Sequence, residues 1–433
     1  MPFSIFRCAR VAAAVAATIA AAACMPAPAP RAFPNGSGGV NAPAQRDKPY
    51  VVLVSFDGFR ADYLDRPGLP NFHRLARAGV RASGLVPVFP SKTFPNHYSI
   101  VTGLYAEHHG VVGNSFWDPA RQQMYSISSA AEQDGSWYRG EPLWVTAERQ
   151  GMVAASFFWP TSDAAIDGIR PTRYKKYDGA VPDSARVDSV LAWLALPATS
   201  RPHMVTTYFS DMDDVGHRYG PCDPHINVML QHVDSVVGRL ADGIARLPIA
   251  DSVYLVLVSD HGMAQTGPEY FVALEGLMDT AGVRVAGTGP EANLFVSGDS
   301  GRAAVLRDSL NRKLAHGRAY LRADLPARFH YSQDPRAGDL VVVMDQPYLI
   351  GLGGSRSRQQ AGTHGWDPAN PSMRAILVID GPGVRAGARI PEVPNVDIYP
   401  FITGVLGLTP APNLDGDPTA LRDLVMAPNA PSR

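Results

Sequence analysis

The sequence predicts an α/β protein built around a doubly wound, mostly parallel sheet. Three observations lead there. Five continuous apolar runs recur along the chain, rich in branched residues and without polar alternation, the pattern of strands buried on both faces. Amphipathic helical patterns separate them. Three of the runs end in an acidic residue (Asp57, Asp211 and Asp260), and open α/β sheets hold ligands at the carboxyl ends of their strands.

The elements follow in order. Arg7 and Arg10 precede the apolar run "VAAAVAATIAAAAC", too short to span a bilayer, so residues 1–24 read as a signal peptide. Cys24 after three alanines offers a lipoprotein-type lipid anchor, with ordinary signal-peptidase cleavage as the alternative. Export is expected, to a bacterial periplasm or to an outer membrane as an anchored lipoprotein. Residues 25–47, rich in Pro, Ala and Gly without periodicity, read as a flexible linker. The folded domain is expected over residues 48–427. "KPYVVLVSFDGF" opens it as a strand, and "LPNFHRLARAG" is a helix stopped at Gly79. "FPSKTFPNHYSIVTG" (89–103) is a stiff polar turn running into a helix, with Asn96 as its cap. "MVAASFFW" (152–159), "HMVTTYFSD" (203–211) and "SVYLVLVSD" (252–260) read as strands parallel to the first. The helices "DSARVDSVLAWLAL" and "PHINVMLQHVDSVVGRLADGIARL" lie between them. Residues 268–360 mix shorter patterns and are expected to form a smaller inserted subdomain. "MRAILVIDG" (373–381) returns to the main sheet.

Charge excludes one class of function. Lys+Arg 39 against Asp+Glu 40, with no long basic run, gives no footprint for a nucleic-acid polymer, although a small nucleotide remains compatible. Of three cysteines only Cys222 lies in the body, so an exported chain has no internal disulfide framework to rely on.

The acidic strand ends acquire partners. "SDHGM" places Asp260 and His261 side by side before a glycine turn that can bring both onto one ion. "DMDDVGHRYGP" spaces Asp213 and His217 by four, one helical turn. "GTHGWDP" puts His364 in a glycine-flanked loop. Several converging carboxylates demand a cation. Asp57, Asp213, Asp260, His217, His261 and His364 form an oxygen- and imidazole-rich, thiolate-poor set that suits zinc with an open position. The other histidines, His97 among them, read as ordinary core or surface hydrogen-bonding groups.

Seven segments in this order carry a resemblance: "VSFDGFRADYL", "FPSKTFPNHYSIVTGLYAEHHGVVGN", "WPTSDAAIDGIRPTRYKKYDG", "DMDDVGHRYGP", "LVSDHGM", "GTHGWDP" and "VPNVDIYPFITGVLGLTPAPNLDG". Together they resemble the nucleotide pyrophosphatase/phosphodiesterase family of the alkaline phosphatase superfamily, from about residue 49 to 421. The resemblance implies an alkaline-phosphatase-like fold and two zinc ions. It assigns one ion to Asp57, Asp260 and His261 with Thr93 as the nucleophile, and the other to Asp213, His217 and His364. It implies that Asn114 binds a phosphoryl oxygen with help from the Phe94 backbone N–H, and that Phe94 and Tyr208 stack on a nucleobase. A second wall of the base pocket is implied near residues 124–128, while Lys92 matches the motif without a role. The implied reaction releases nucleoside 5′-monophosphates from phosphodiesters and pyrophosphates through a phospho-threonine.

Alternatives within the superfamily are a lysophospholipid or choline-phosphate phosphodiesterase and a phosphomonoesterase. The latter needs an extra positive group, and no motif here clearly supplies it. A sulfatase is disfavoured because "KTFPN" presents threonine instead of a modifiable Cys or Ser. A metal-stabilised periplasmic binding protein is the alternative outside catalysis.

Overall fold

The computed structural model describes residues 37–299, 301–354 and 360–425. The expected signal segment, with Cys24, lies outside the described residues. The main sheet is assembled from β1 (Tyr50–Phe56), β2 (Val80–Ala82), β3 (Ala154–Phe157), β4 (Arg173–Lys175), β5 (Met204–Phe209), β6 (Val253–Val258), β7 (Leu377–Asp380) and β8 (Ala388–Ile390). Their spatial order is β8-β2-β7-β6-β1-β5-β3-β4. β1 is central, parallel to β5 and β6, and all seven of its residues are buried.

Both faces are covered, as the apolar runs require. Val52, Val54 and Phe56 point into a core with α1 (Pro70–Ala78), α3 (Asp183–Leu194) and α5 (Pro224–Ala245), while α4 (Asp211–Tyr219) adds Met212. Val51 and Leu53 point the other way, toward α2 (Thr93–Thr102), the helix Leu143–Arg149 and α6 (Ile398–Leu406). Alternation of side chains along one strand thus feeds two separate cores.

One strand direction differs from expectation. β7, inside the run "MRAILVIDG", lies antiparallel to β6 and β2. A continuous apolar run reports burial on both faces and is silent about direction. The cap also moves: α2 begins at Thr93, so Asn96 sits inside its first turn. The Asn96 carboxamide instead stitches the approach to the helix. It accepts from the Val88 N–H (2.6 Å) and donates to the carbonyls of Pro90 (3.0 Å) and Lys92 (2.8 Å).

A second, antiparallel sheet is formed by Val283–Ala286, Glu291–Val296, Leu340–Met344 and Gly317–Leu321. It packs around its own core of Leu294, Leu310, Leu340, Val342 and Ile350.

The stretch read as a flexible linker is docked over residues 37–47. Asn41 is fully buried, accepts from the Val153 N–H (2.7 Å) and donates to the carbonyls of Ala198 (2.9 Å) and Arg201 (2.7 Å). Composition reveals a lack of periodicity, not a single asparagine matched to three backbone groups. Beside it, the buried Glu148 carboxylate accepts from the N–H groups of Ser37 (2.5 Å), Ala154 (2.8 Å) and Thr172 (2.9 Å). Glu148→Ala leaves three N–H groups without that acceptor and is expected to lower the unfolding free energy by roughly 3 kcal/mol or more. The readout is a lower denaturant midpoint at unchanged slope. An unchanged midpoint would mean that the staple contributes nothing.

Candidate active site

The central strands end in register, Phe56 beside Phe209 and Ser55 beside Val258, so whatever follows them meets at one edge. Asp57 follows β1 directly, and Asp260 and His261 follow β6. α4 starts after β5 and carries Asp213 and His217 on one side. His364 follows the short strand Gly362–Thr363, which pairs with Ala264–Gln265. Thr93 is the first residue of α2. The turn after Asp57 needs a glycine: Gly58 has φ +69°, and a Cβ there would lie 3.0 Å from the Asp213 Cα.

The structure brings the expected residues together. His261 Nε2 lies 2.9 Å from Asp260 Oδ2, 3.3 Å from Asp57 Oδ1 and 3.4 Å from Thr93 Oγ1. His217 Nε2 lies 3.3 Å from Asp213 Oδ2, and His364 Nε2 lies 3.6 Å from Asp213 Oδ1. The His261 and His364 rings stack at 3.5 Å and join the two halves. Each of the three imidazoles places Nδ1 against a backbone carbonyl: Gly362 for His217, Gly262 for His261 and Ser91 for His364, all at 2.8–2.9 Å. Those bonds put the proton on Nδ1 and turn the Nε2 lone pair inward.

The set fits divalent cations. Asp57 Oδ1, Asp213 Oδ1 and Asp260 Oδ2 are buried without a hydrogen-bond partner, and these are the oxygens facing the imidazole nitrogens. Ligand atoms of Asp213, His261 and His364 lie within 4.8 Å of one another, as do those of Asp57, His97 and Asp260. His97 is nevertheless a buttress. Its Nδ1 meets the Thr93 carbonyl (2.9 Å) and its Nε2 the Ser55 hydroxyl (2.8 Å), so both nitrogens are occupied. Sequence reasoning treated His97 as an ordinary core histidine; its position beneath the nucleophile candidate is visible only in three dimensions.

Protonation reflects the crowding. Burial pushes the Asp57 carboxyl well up, the charges of Asp260 and Asp213 add to the shift, and the Tyr208 hydroxyl opposes it. Burial also disfavours the charged form of Asp260, but His261 and His97 outweigh it and hold that carboxyl low. At His217 burial is outweighed by Asp213, raising the imidazole to about 9. Burial and then the neighbouring His261 depress His364 well below the ordinary range. The same burial therefore acts on every member of the cluster, and the nearest charge decides the direction in which each is shifted.

The site opens into a cleft of about 950 Å³, lined in part by Thr93, Phe94, Asn114, Tyr208, Ile127 and Ser128. The Phe94 N–H donates to Asn114 Oδ1 at 2.9 Å. That bond orients Asn114 with its NH₂ group available. Tyr208 donates its hydroxyl to Asp57 Oδ2 at 2.6 Å. The cleft also takes in Phe158, Tyr177, Lys175, Lys176, Glu132 and Asp163, which sequence reasoning missed. The one usable signal was "RYKKYDG", whose basic and aromatic residues leave β4 at the sheet edge.

Residues 51–367 match the profile described as type I phosphodiesterase / nucleotide pyrophosphatase. The chain belongs to this family. Human ectonucleotide pyrophosphatase/phosphodiesterase family member 1 is 38% identical over 397 residues, 89% of this chain and 43% of that protein. The venom phosphodiesterase CdcPDE of Crotalus durissus collilineatus is 35% identical over 402 residues, 90% of this chain and 48% of its own length. The chain therefore spans less than half of these family members. Among solved structures, murine ectonucleotide pyrophosphatase/phosphodiesterase 5 superposes with a TM-score of 0.82 at 30% identity, covering 87% of this chain and all of that one. An inactive threonine-to-alanine variant of the murine protein, in complex with AMP, superposes at 0.83 with 29% identity over 88% of this chain and all of its own. The alkaline-phosphatase-like α/β fold expected for the family is the fold observed.

Chelation of divalent ions is expected to lower the thermal midpoint by about 5 °C or more, since binding to the native state stabilises it by mass action. At pH 8, Asp57→Asn should leave the chelated protein at least as stable as chelated wild type, while the metal-loaded variant melts lower than loaded wild type. A loss of stability in both states would show that charge crowding is not what a cation relieves.

Proposed function

We propose that the protein hydrolyses nucleotide phosphodiester and pyrophosphate bonds through a covalent phospho-threonine at Thr93, releasing nucleoside 5′-monophosphates. The observation that carries this reading is the place of the Thr93 hydroxyl. It is the first residue of a helix, 3.4 Å from His261 Nε2, at the mouth of the acidic cluster and facing an aromatic cleft. The relatives point the same way: their names describe nucleotide pyrophosphatases and phosphodiesterases, and a threonine-to-alanine variant of one is inactive and binds AMP.

The proposed cofactors are two zinc ions, one held by Asp57, Asp260 and His261 with Thr93, the other by Asp213, His217 and His364. Bound there, zinc lowers the pKa of an oxygen nucleophile and neutralises charge on the phosphoryl group. The chain's own residues do the rest. The N-terminus of α2 favours an anionic phosphate beside Thr93. Asn114, oriented by the Phe94 N–H, donates its NH₂ group to a non-bridging oxygen. Phe94 and Tyr208 wall the cleft and stack on a base of any identity. Thr93 gives up its proton to solvent and attacks phosphorus, the new O–P bond forming as the bond to the leaving oxygen breaks, and that oxygen departs with a proton from solvent. A water then attacks phosphorus and gives up a proton to solvent, the Thr93 O–P bond breaks, the Thr93 oxygen takes a proton back, and the monophosphate departs.

Export belongs to the same proposal: residues 1–24 direct the chain to the periplasm, or to an outer-membrane anchor at Cys24. Among the described residues no helix is long and apolar enough to cross a membrane.

Thr93→Ala is expected to lower kcat/KM on a chromogenic nucleoside 5′-phosphodiester by about 10³-fold or more, with Thr93→Ser retaining part of the activity. Hydrolysis by Thr93→Ala at the wild-type rate would remove Thr93 from the reaction. Paired mono- and diesters of one leaving group should favour the diester, and a panel adding ATP, a dinucleotide and a lysophospholipid should favour the nucleotides. No turnover of any nucleotide diester would overturn the substrate class.

A further inference from the structure

Lys92, the residue before the proposed nucleophile, is largely withdrawn from solvent. Its ammonium pairs with Oε1 of Glu291, on a strand of the second sheet, and the two side chains are 12% and 1% exposed. Burial pushes the Glu291 carboxyl up, and the Lys92 ammonium opposes that shift. The pair closes a longer seam between two segments. The Ser91 carbonyl meets His364 Nδ1 at 2.9 Å, and the Ser91 hydroxyl donates to the Trp366 carbonyl at 2.9 Å. Between those bonds the Lys92 stem passes Gly365: a Cβ on Gly365 would lie 3.2 Å from Lys92 Cε, 3.3 Å from Pro290 Cγ and 3.4 Å from Glu291 Oε2. Gly365 has φ +118°, which favours glycine in any case. Residues 91–92 and 364–366 are therefore fastened side by side, just before Thr93, and a carboxylate from another sheet fixes the fastening at its midpoint.

We infer that Glu291 is a positioning residue of the active site, acting through Lys92 to hold the Thr93 hydroxyl in register with His364. Neither Glu291 nor Lys92 lines the cleft, and the pair turns the Lys92 ammonium onto Glu291. What the pair fixes is backbone: the turn into α2, from which Thr93 projects. Displacement of a reacting atom by about 1 Å is enough to reduce a rate by about 10²-fold. The second sheet, which supplies none of the cluster, thereby reaches the reaction through one side chain.

This inference rests on the Thr93 reading, and the test separates the two. Glu291→Gln and Lys92→Met should each lower kcat on the nucleoside phosphodiester by about 30-fold with KM within about twofold. The double variant Glu291→Gln/Lys92→Met should be no worse than either single one. The apolar replacement Lys92→Met/Glu291→Leu should recover the denaturant midpoint, since well-packed apolar pairs substitute for buried ion pairs, yet leave kcat low. In the metal-free protein, amide exchange of a peptide spanning residues 88–98 should be faster in Glu291→Gln than in wild type. Wild-type kcat in Glu291→Gln, or recovery of kcat together with stability in the apolar pair, overturns the positioning role. Should Glu291→Gln fail to fold, the apolar pair carries the test. An active Thr93→Ala would instead overturn the nucleophile, whatever Glu291 does.

Discussion

Three carboxylates that cannot all be charged side by side set the terms for this active site. Asp57, Asp213 and Asp260 are delivered to one edge because three parallel strands end in register, and all three turn unpartnered oxygens inward. Everything around them manages that repulsion. Three imidazoles are locked by backbone carbonyls so that their lone pairs face the acids. Gly58 removes a side chain so that Asp213 can approach. The fold supplies stability through two cores on either side of the sheet and concentrates its electrostatic strain at one end.

The legible part of the site was the part written in local spacing. Asp213 and His217 share a helical turn, and Asp260 and His261 adjoin a glycine, so their convergence follows from elementary geometry. The main strands were legible because burial on both faces leaves a run with no polar interruption. Lys92 and Asn96 could be singled out in the motif, but Glu291, which pairs with Lys92, and Asn395, whose NH₂ group also donates to Asn96 Oδ1 at 2.9 Å, lie far along the chain. No periodicity connects such positions.

Other failures share a cause. The direction of β7 is decided by how the chain returns to the sheet, and the apolar run is the same either way. Residues 37–47 looked like a linker because docking depends on Asn41 and on Glu148, each a single residue satisfying several backbone groups. His97 looked like any core histidine because its role is defined by Thr93 and Ser55 above it. Single-residue hydrogen-bond hubs leave almost no trace in composition or pattern, and this protein uses them at residues 37–47 and at the turn into α2.

The bond from Tyr208 to Asp57 has a consequence for how such a site can diversify. One side chain is both a wall of the cleft and a support for a buried carboxylate, so a substitution there alters two properties at once. Under the proposed function, base selectivity and metal affinity are linked at this position and cannot drift independently. Ile127 and Ser128 line the same cleft from a loop that supplies none of the cluster, which leaves that rim free to vary. Under that reading, a change of substrate is reached more easily at the loop than at the aromatic wall.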